Sequence, residues 1–142
     1  MPPPIDHKDK SHKYRDAVFN EVRQRVGFEG KPPTNAAAFL GDWVYRLQSA
    51  NAEPLAYQSF YADGRAPLEM IDGSSKSPND RWKLNEDGSF SDCYYVEAMP
   101  EYGIEEPGHA EERYHVLFRD ADTFILFNGD GSIIKYYERK KN

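Results

Sequence analysis

The sequence contains a single cysteine and has no long run of apolar residues. Because Cys93 has no second cysteine to pair with, an internal disulfide and a cysteine-based zinc site are both excluded. No stretch reaches the ~18 apolar residues that a transmembrane helix needs. Residues 1–13 are charged and proline-rich, without the apolar centre of a secretion signal. We therefore expect a cytoplasmic protein that does not act at a membrane.

Basic residues are also too few for a nucleic-acid-binding surface. Lys and Arg total 18 against 24 Asp and Glu, which gives a net charge of −6. Proteins that bind nucleic acid carry a basic surface, so we expect no nucleic-acid partner. Aromatic residues, in contrast, are abundant, with ten Tyr, eight Phe and two Trp. A chain of 142 residues with this aromatic content has the size and the apolar area of one folded domain.

An amphipathic helix is predicted at 11–27, near the start of the chain. Val18, Val22 and Val26 recur every four residues with charged residues between them, and Gly27 ends the pattern. A helix of this length is marginal in isolation, so it has to pack against something. Two alternatives are open. It caps one end of the rest of the fold, or it pairs with a second copy to form a homodimer.

From Gly41 onward, the pattern changes to that of β-strands. Four Asp-Gly pairs lie between strand-like segments and indicate tight hairpin turns of type I′, which have positive φ at both turn residues. Two of these junctions, 85–89 and 128–132, are so similar that we expect the same turn in both. The eight segments rich in β-branched and aromatic residues are 43–48, 55–62, 66–71, 81–85, 89–97, 112–118, 123–128 and 132–139.

Eight consecutive strands with short connections predict an antiparallel up-and-down barrel, because closure removes unpaired sheet edges. The chain is therefore predicted to be mostly β, with one helix before the barrel. Residues 1–10 are expected to be a disordered lead-in. A single domain is expected at 11–142, with its barrel at 34–142.

Three stretches resemble the lipocalin-like (calycin) barrels. Ala38-Phe39-Leu40-Gly41-Asp42-Trp43 is similar to their opening, where a helical turn leads into Gly-X-Trp at the first strand. The segments 82–90 and 122–139 resemble later parts of bacterial lipocalin-like domains. The resemblance implies that a basic residue near the last strand packs across Trp43. Arg139 is the best match and Lys135 is the second.

The faces predicted to point into the barrel carry many phenol rings. Each buried hydroxyl needs a partner, which water or a ligand supplies if the core leaves space for it. We therefore expect a pocket of at least ~300 Å³ for a small hydrophobic or aromatic molecule. The alternative is a filled core. The candidate ligand-binding residues are Tyr45, Tyr57, Tyr61, Met70, Trp82, Tyr94, Tyr114, Phe124 and Tyr136.

Two residues are weak catalytic candidates. Asp92 shares a strand face with aromatic residues, and burial there would raise its pKa so that it could accept a proton. Its alternative position is at the barrel rim, in water. His115 could act as a base, but alternation with Arg113 places it on the outer surface or at an interface. The glutamate-rich segment 97–112 has no metal-ligating spacing and is predicted to be a solvated acidic loop, so neither a metal nor a cofactor is expected.

Three functions remain open at this point. The leading hypothesis is non-enzymatic binding of a small hydrophobic or aromatic molecule inside the barrel. The second is an enzyme of isomerase, dehydratase or decarboxylase type, in a barrel or a cone-shaped fold, that uses Asp92 and tyrosines in the pocket. The third is a protein-interaction module with a filled core.

Overall fold

The structure is a computed structural model that describes residues 12–27 and 29–141; the lead-in predicted at 1–10 lies outside the described residues. Helix α1 spans His12–Val26, and short 3-10 helices span Ala36–Phe39 and Pro100–Tyr102. The strands are β1 (Gly41–Leu47), β2 (Ala56–Phe60), β3 (Leu68–Met70), β4 (Lys76–Ser77), β5 (Arg81–Leu84), β6 (Phe90–Val96), β7 (Gly108–Asp120), β8 (Thr123–Phe127) and β9 (Ile134–Arg139). The predicted fold, a mostly β barrel-like meander after one helix, is confirmed.

All nine strands form one antiparallel sheet in the order β4-β3-β2-β1-β9-β8-β7-β6-β5. The first and last strands pair, so the sheet curls back on itself as a barrel does. The ninth strand is the two-residue β4, which pairs with β3 and which the sequence prediction lacked. The curled sheet brings alternate residues of each strand to a common interior.

The two sheet edges, β4 and β5, follow each other in the chain, and a seam lies between them. The segment that joins β2 to β3 crosses this seam. The Ala66 amide donates to the Asp80 carbonyl at 2.8 Å, and the Trp82 amide donates to the Gly64 carbonyl at 2.9 Å. The two hydrogen bonds satisfy part of the β5 edge, although β4 and β5 do not pair with each other.

Helix α1 lies on the outer wall of the barrel, so of the two alternatives the one in which it caps a barrel end is wrong. Val18, Phe19 and Val22 are buried against outward-facing residues of β7, β8 and β9. Arg25, on the same side of the helix, donates to the Gly131 carbonyl. The strands β7–β9 are therefore covered on both faces.

Among the described residues no helix has the length and apolarity needed to cross a membrane.

The Asp-Gly junctions form tight turns, but of a different type from the one predicted. Their glycines have φ between 75° and 92°, whereas the preceding aspartates keep negative φ angles. This is a type I turn followed by a left-handed glycine. The Asn85 amide then bonds the Ser89 carbonyl, whereas the Asn128 amide bonds the Ile133 carbonyl, one residue farther along. The two similar junctions do form the same turn. In each, the aspartate carboxylate accepts the serine amide at 2.9 Å, in Asp87–Ser89 and in Asp130–Ser132.

The acidic segment 97–112 is not entirely a loop. β7 begins at Gly108 and pairs with β6 back to Val96, so the connecting loop is limited to 97–107. Pairing of Tyr94 with Ala110 and of Asp92 with Glu112 extends the β6–β7 hairpin. The prediction missed this part of β7 because its exposed glutamates hide the apolar–polar alternation by which a strand is recognised in a sequence.

Candidate functional site

Side chains fill one end of the barrel completely. Phe39, at the end of the first 3-10 helix, is fully buried inside the barrel. Asn35 caps that helix by accepting the Ala37 amide at 2.9 Å, which fixes the direction from which the phenylalanine enters. Five rings surround Phe39 at centroid distances of 5.0–6.4 Å, namely Phe60, Trp82, Phe90, Phe118 and Phe124. We call this packed end the floor.

Trp43 belongs to the same buried cluster, and Arg139 covers its ring. The Arg139 guanidinium carbon lies 4.2 Å from the centre of the Trp43 ring, the contact that the family resemblance implied. Arg139 also donates to the Leu40 carbonyl at 2.9 Å and to the Ala121 carbonyl at 3.0 Å. The Trp43 indole N–H donates to the Phe39 carbonyl at 2.8 Å. These bonds tie the 3-10 helix to the first and last strands.

The close approach of Arg139 to the backbone requires a glycine at position 41, so Gly41→Ala is expected to destabilise the protein. Its φ is +119°, and a Cβ there would lie 2.7 Å from the Arg139 Nη1 atom. Backbone strain of this kind costs about 1–3 kcal/mol. Thermal unfolding should therefore show a clearly lower Tm. Gly108→Ala is the matched control, because nothing lies within 4 Å of its added Cβ. Equal Tm values for the two variants would contradict the role of Gly41.

The opposite end of the barrel, which we call the mouth, is polar and only partly buried. Asp92 on β6 and Lys135 on β9 form an ion pair across it, with 3.6 Å between Oδ2 and Nζ and side-chain exposures of 22% and 17%. The Lys135 Nζ lies 4.5 Å from the centre of the Tyr114 ring and 5.8 Å from that of Tyr45. Met70 belongs to the same level, since Ala56 pairs with both Tyr45 and Met70.

Burial changes the acidity of the groups at the mouth. Desolvation raises the pKa of Asp92, and the nearby Lys135 ammonium opposes that shift. Desolvation, reinforced by the negative charge of Asp92, raises the pKa of Tyr45 to about 12. The pKa of Tyr114 is raised by burial and by its hydrogen bond to Glu112. Both phenols are thus held neutral, and the Tyr114 hydroxyl donates its hydrogen to Glu112.

A buried polar pair separates the mouth from the floor. The Tyr137 hydroxyl donates to the Gln58 side-chain oxygen at 3.0 Å, and the Gln58 amide donates to the Ala66 carbonyl at 3.2 Å. Tyr137 in turn stacks on Phe124, with 4.6 Å between ring centres. Because these groups satisfy one another, they form a rigid base beneath Tyr45 and Lys135.

The structure brings together only part of the predicted ligand-binding set. Tyr45, Met70, Tyr94 and Tyr114 share the inward face near the mouth, with Tyr94 37% exposed. Trp82 and Phe124 also face inward, but they are packed into the floor around Phe39.

Three residues predicted to face inward do not. Tyr57 points outward, where the Lys140 ammonium lies 4.3 Å from its ring centre, and Tyr61 stacks outside against Arg65. Tyr136 is on the outer face of β9, buried under helix α1. On β2 the interior instead takes Gln58 and Phe60, because a strand that is aromatic on both faces gives no alternation signal for choosing between them.

The two catalytic candidates lie in different places. Asp92 is at the mouth, half-buried beside Lys135, and is not a fully solvated rim residue. His115 faces outward from the barrel as predicted, but helix α1 covers it. Its ring lies 5.2 Å from the Phe19 ring and 5.3 Å from the Phe127 ring. No three His, Cys, Asp or Glu side chains in the described part of the chain are arranged to hold a metal ion.

The position of Lys135 at the mouth was not predicted from the sequence. The sequence indicated this lysine only as an alternative partner for Trp43, and the neighbouring Ile134 and Tyr136 were predicted to face the interior. The available signal was the spacing from Arg139, since residues 135, 137 and 139 share one strand face. Asp80 was also missed; it is 7% exposed and accepts the Tyr95 amide at 2.9 Å.

Comparison of the sequence with protein families and with curated proteins found no match. No protein-family model matches the chain, and no curated protein sequence matches it significantly.

Proposed function

We propose that this protein is a lipocalin-like barrel that binds a small amphipathic molecule at the mouth, without catalysing a reaction. The observation that carries the proposal is the contrast between the two ends of the barrel. Aromatic rings fill the floor, whereas the mouth leaves Tyr45, Asp92 and Lys135 only partly buried. Apolar ring faces next to a few polar groups are the usual lining of small-molecule sites.

The chemistry of the lining suits a flat apolar ligand that carries one polar group. Tyr45 and Tyr94 offer partly exposed rings, and Met70 adds an adaptable apolar side chain at the level of Tyr45. The rigid Tyr137–Gln58 pair beneath them limits how deep a ligand can enter. Binding should therefore remain shallow, with the ligand body between rings and its polar group beside Asp92 or Lys135.

The lipocalin-like assignment is supported by the floor. Gly41 and Trp43 stand at the start of the first strand, a 3-10 helix precedes them, and Arg139 of the last strand covers the indole. This arrangement is what the resemblance of the sequence to calycin barrels implies.

Binding of naphthalenemethanol, a flat neutral probe, tests the proposal. We expect calorimetry to detect binding, and we expect the probe to raise the Tm because it binds only the folded state. Tyr45→Ala should weaken binding roughly two- to tenfold, the effect of about 0.5–1.5 kcal/mol for one aromatic contact. Tyr57→Ala is the control, since Tyr57 lies outside the barrel. Equal losses in both variants would contradict the proposal, as would a wild type that binds neither this probe nor naphthylmethylamine nor naphthoate.

A second candidate function is an enzyme in which Asp92 removes a proton from a substrate. The partial burial of Asp92 and its raised pKa favour this candidate, because a base needs a pKa near the working pH. Exchange of the acidic C–H hydrogens of a 1,3-diketone into D₂O, followed by NMR, distinguishes the two functions. Wild-type protein that accelerates exchange, with loss of the acceleration in Asp92→Asn, would support the enzyme. Exchange at the rate of buffer alone is expected if the protein only binds.

A further inference from the structure

We infer that the ligand of the mouth is an organic cation, a protonated amine attached to a flat apolar body. This inference rests on the proposed binding function and specifies the class of molecule bound. It follows from the charges that face the interior at the mouth and from the rings that surround them.

Three carboxylates at the mouth face the single ammonium of Lys135. Asp92 and Glu112 are paired residues on the inward faces of β6 and β7. Asp80 directly precedes β5, and its carboxylate accepts the Tyr95 amide at 2.9 Å. Burial raises the pKa of Asp80 and the charges of His109 and Lys135 oppose that shift, while the charge of Asp80 in turn raises the pKa of Asp92. Counted at their formal charges, the three carboxylates and the Lys135 ammonium sum to −2, and His109 is a further group whose charge acts on Asp80.

The phenol rings at the mouth already bind an ammonium group. The Lys135 Nζ sits over the face of Tyr114 at 4.5 Å and near that of Tyr45 at 5.8 Å, beside the Asp92 carboxylate. A cation over an aromatic ring with a carboxylate alongside is the arrangement that recognises organic ammonium ligands. Tyr94, two residues beyond Asp92 on the same face of β6, presents a further ring that is 37% exposed.

A carboxylate ligand would be disfavoured at the same place. The inward-facing cation of the mouth, Lys135, is already paired with Asp92 at 3.6 Å. A fourth negative charge there would face like charges in a partly desolvated site, where repulsion is screened less than in water. An ammonium would instead lower the repulsion between Asp80 and Asp92.

Three probes with the same naphthalene body test the inference by calorimetry at pH 7: naphthylmethylamine, naphthalenemethanol and naphthoate. The amine should bind about tenfold more tightly than the neutral alcohol, and naphthoate should bind more weakly than the alcohol. The preference for the amine should shrink at high salt, because screening weakens charge attraction at partly exposed groups.

Variants then identify the groups responsible. Asp92→Asn should weaken amine binding about tenfold while changing the affinity for the alcohol less than twofold. Glu112 is exposed, and Glu112→Gln keeps a side-chain oxygen that can accept from the Tyr114 hydroxyl. This variant should also weaken amine binding, and it replaces Asp92→Asn if that variant does not fold. Glu69→Gln removes one negative charge from the outer surface, where Glu69 pairs with Lys76 at 3.6 Å, and should change neither affinity.

The outcomes separate this inference from the proposed function. Alcohol binding that equals or exceeds amine binding would overturn the inference and leave the proposed function in place. An equal loss of amine affinity in Glu69→Gln and Asp92→Asn would also overturn it, because the effect would then be one of overall charge. If none of the three probes binds, the proposed function fails, and the inference fails with it.

Discussion

Phe39→Ala should lower the free energy of unfolding by about 3–5 kcal/mol, the usual cost of truncating a buried phenylalanine. Phe39 is fully buried, and five aromatic rings pack around it at 5.0–6.4 Å. Those rings belong to β2, β5, β6, β7 and β8, so they cannot collapse together without moving several strands. Most of the cavity should therefore persist, and the cost should lie toward the upper end of the range.

Urea denaturation of the variant and the wild type measures this loss. Tyr102→Ala is the control, because its ring is 77% exposed and its removal should change stability by less than about 0.5 kcal/mol. Phe39→Leu retains most of the apolar volume and should cost less than Phe39→Ala. A Phe39→Ala protein as stable as Tyr102→Ala would show that the floor is not a packed core.

Trp43→Ala should lower the free energy of unfolding by a similar amount, about 3–5 kcal/mol. The indole is fully buried, its N–H bonds the Phe39 carbonyl, and its ring packs 4.6 Å from the Phe124 ring centre. Loss of the ring also removes the cation–π contact with Arg139, worth roughly 1–2 kcal/mol when partly desolvated. Thermal and urea unfolding would both report the loss.

Two companion variants separate the parts of this effect. Trp43→Phe keeps an aromatic ring but loses the indole N–H, so it leaves the Phe39 carbonyl without that donor at a cost of about 1–3 kcal/mol. Arg139→Gln removes the cation that covers the ring, together with its bonds to Leu40 and Ala121. Unchanged thermal stability of Trp43→Ala would rule out the structural role of the tryptophan.

Local features of the chain were predictable because short-range chemistry sets them. The valine spacing in 11–27 led to helix α1, and the Asp-Gly pairs located the turns. The type of these turns could not be predicted from the sequence, because Asp-Gly occurs both in type I′ turns and in type I turns with a left-handed glycine. β4 was missed, since its two residues are too short to show alternation.

The candidate site was only partly predictable. Asp92, Tyr45 and Tyr114 were named in advance because their strands have one apolar face and so indicate which side points inward. Tyr57, Tyr61 and Tyr136 were misassigned, and Lys135 and Asp80 were not recognised as part of the mouth. The errors at Tyr57, Lys135 and Tyr136 concern which face of a strand points inward. Those at Tyr61 and Asp80 concern residues that lie outside the strands.

The sequence by itself therefore determined the order of the elements, their antiparallel meander and the glycine and tryptophan that begin the barrel, because these depend on local spacing and turn chemistry. Tertiary structure alone decided which face of β2 and β9 is interior. Alternation with a period of two is unchanged when the faces are exchanged. On β9 the face that carries Ile134 and Tyr136 points outward, because helix α1 covers it. The same packing turns Lys135 inward, so the charged mouth exists only once helix, seam and sheet are assembled.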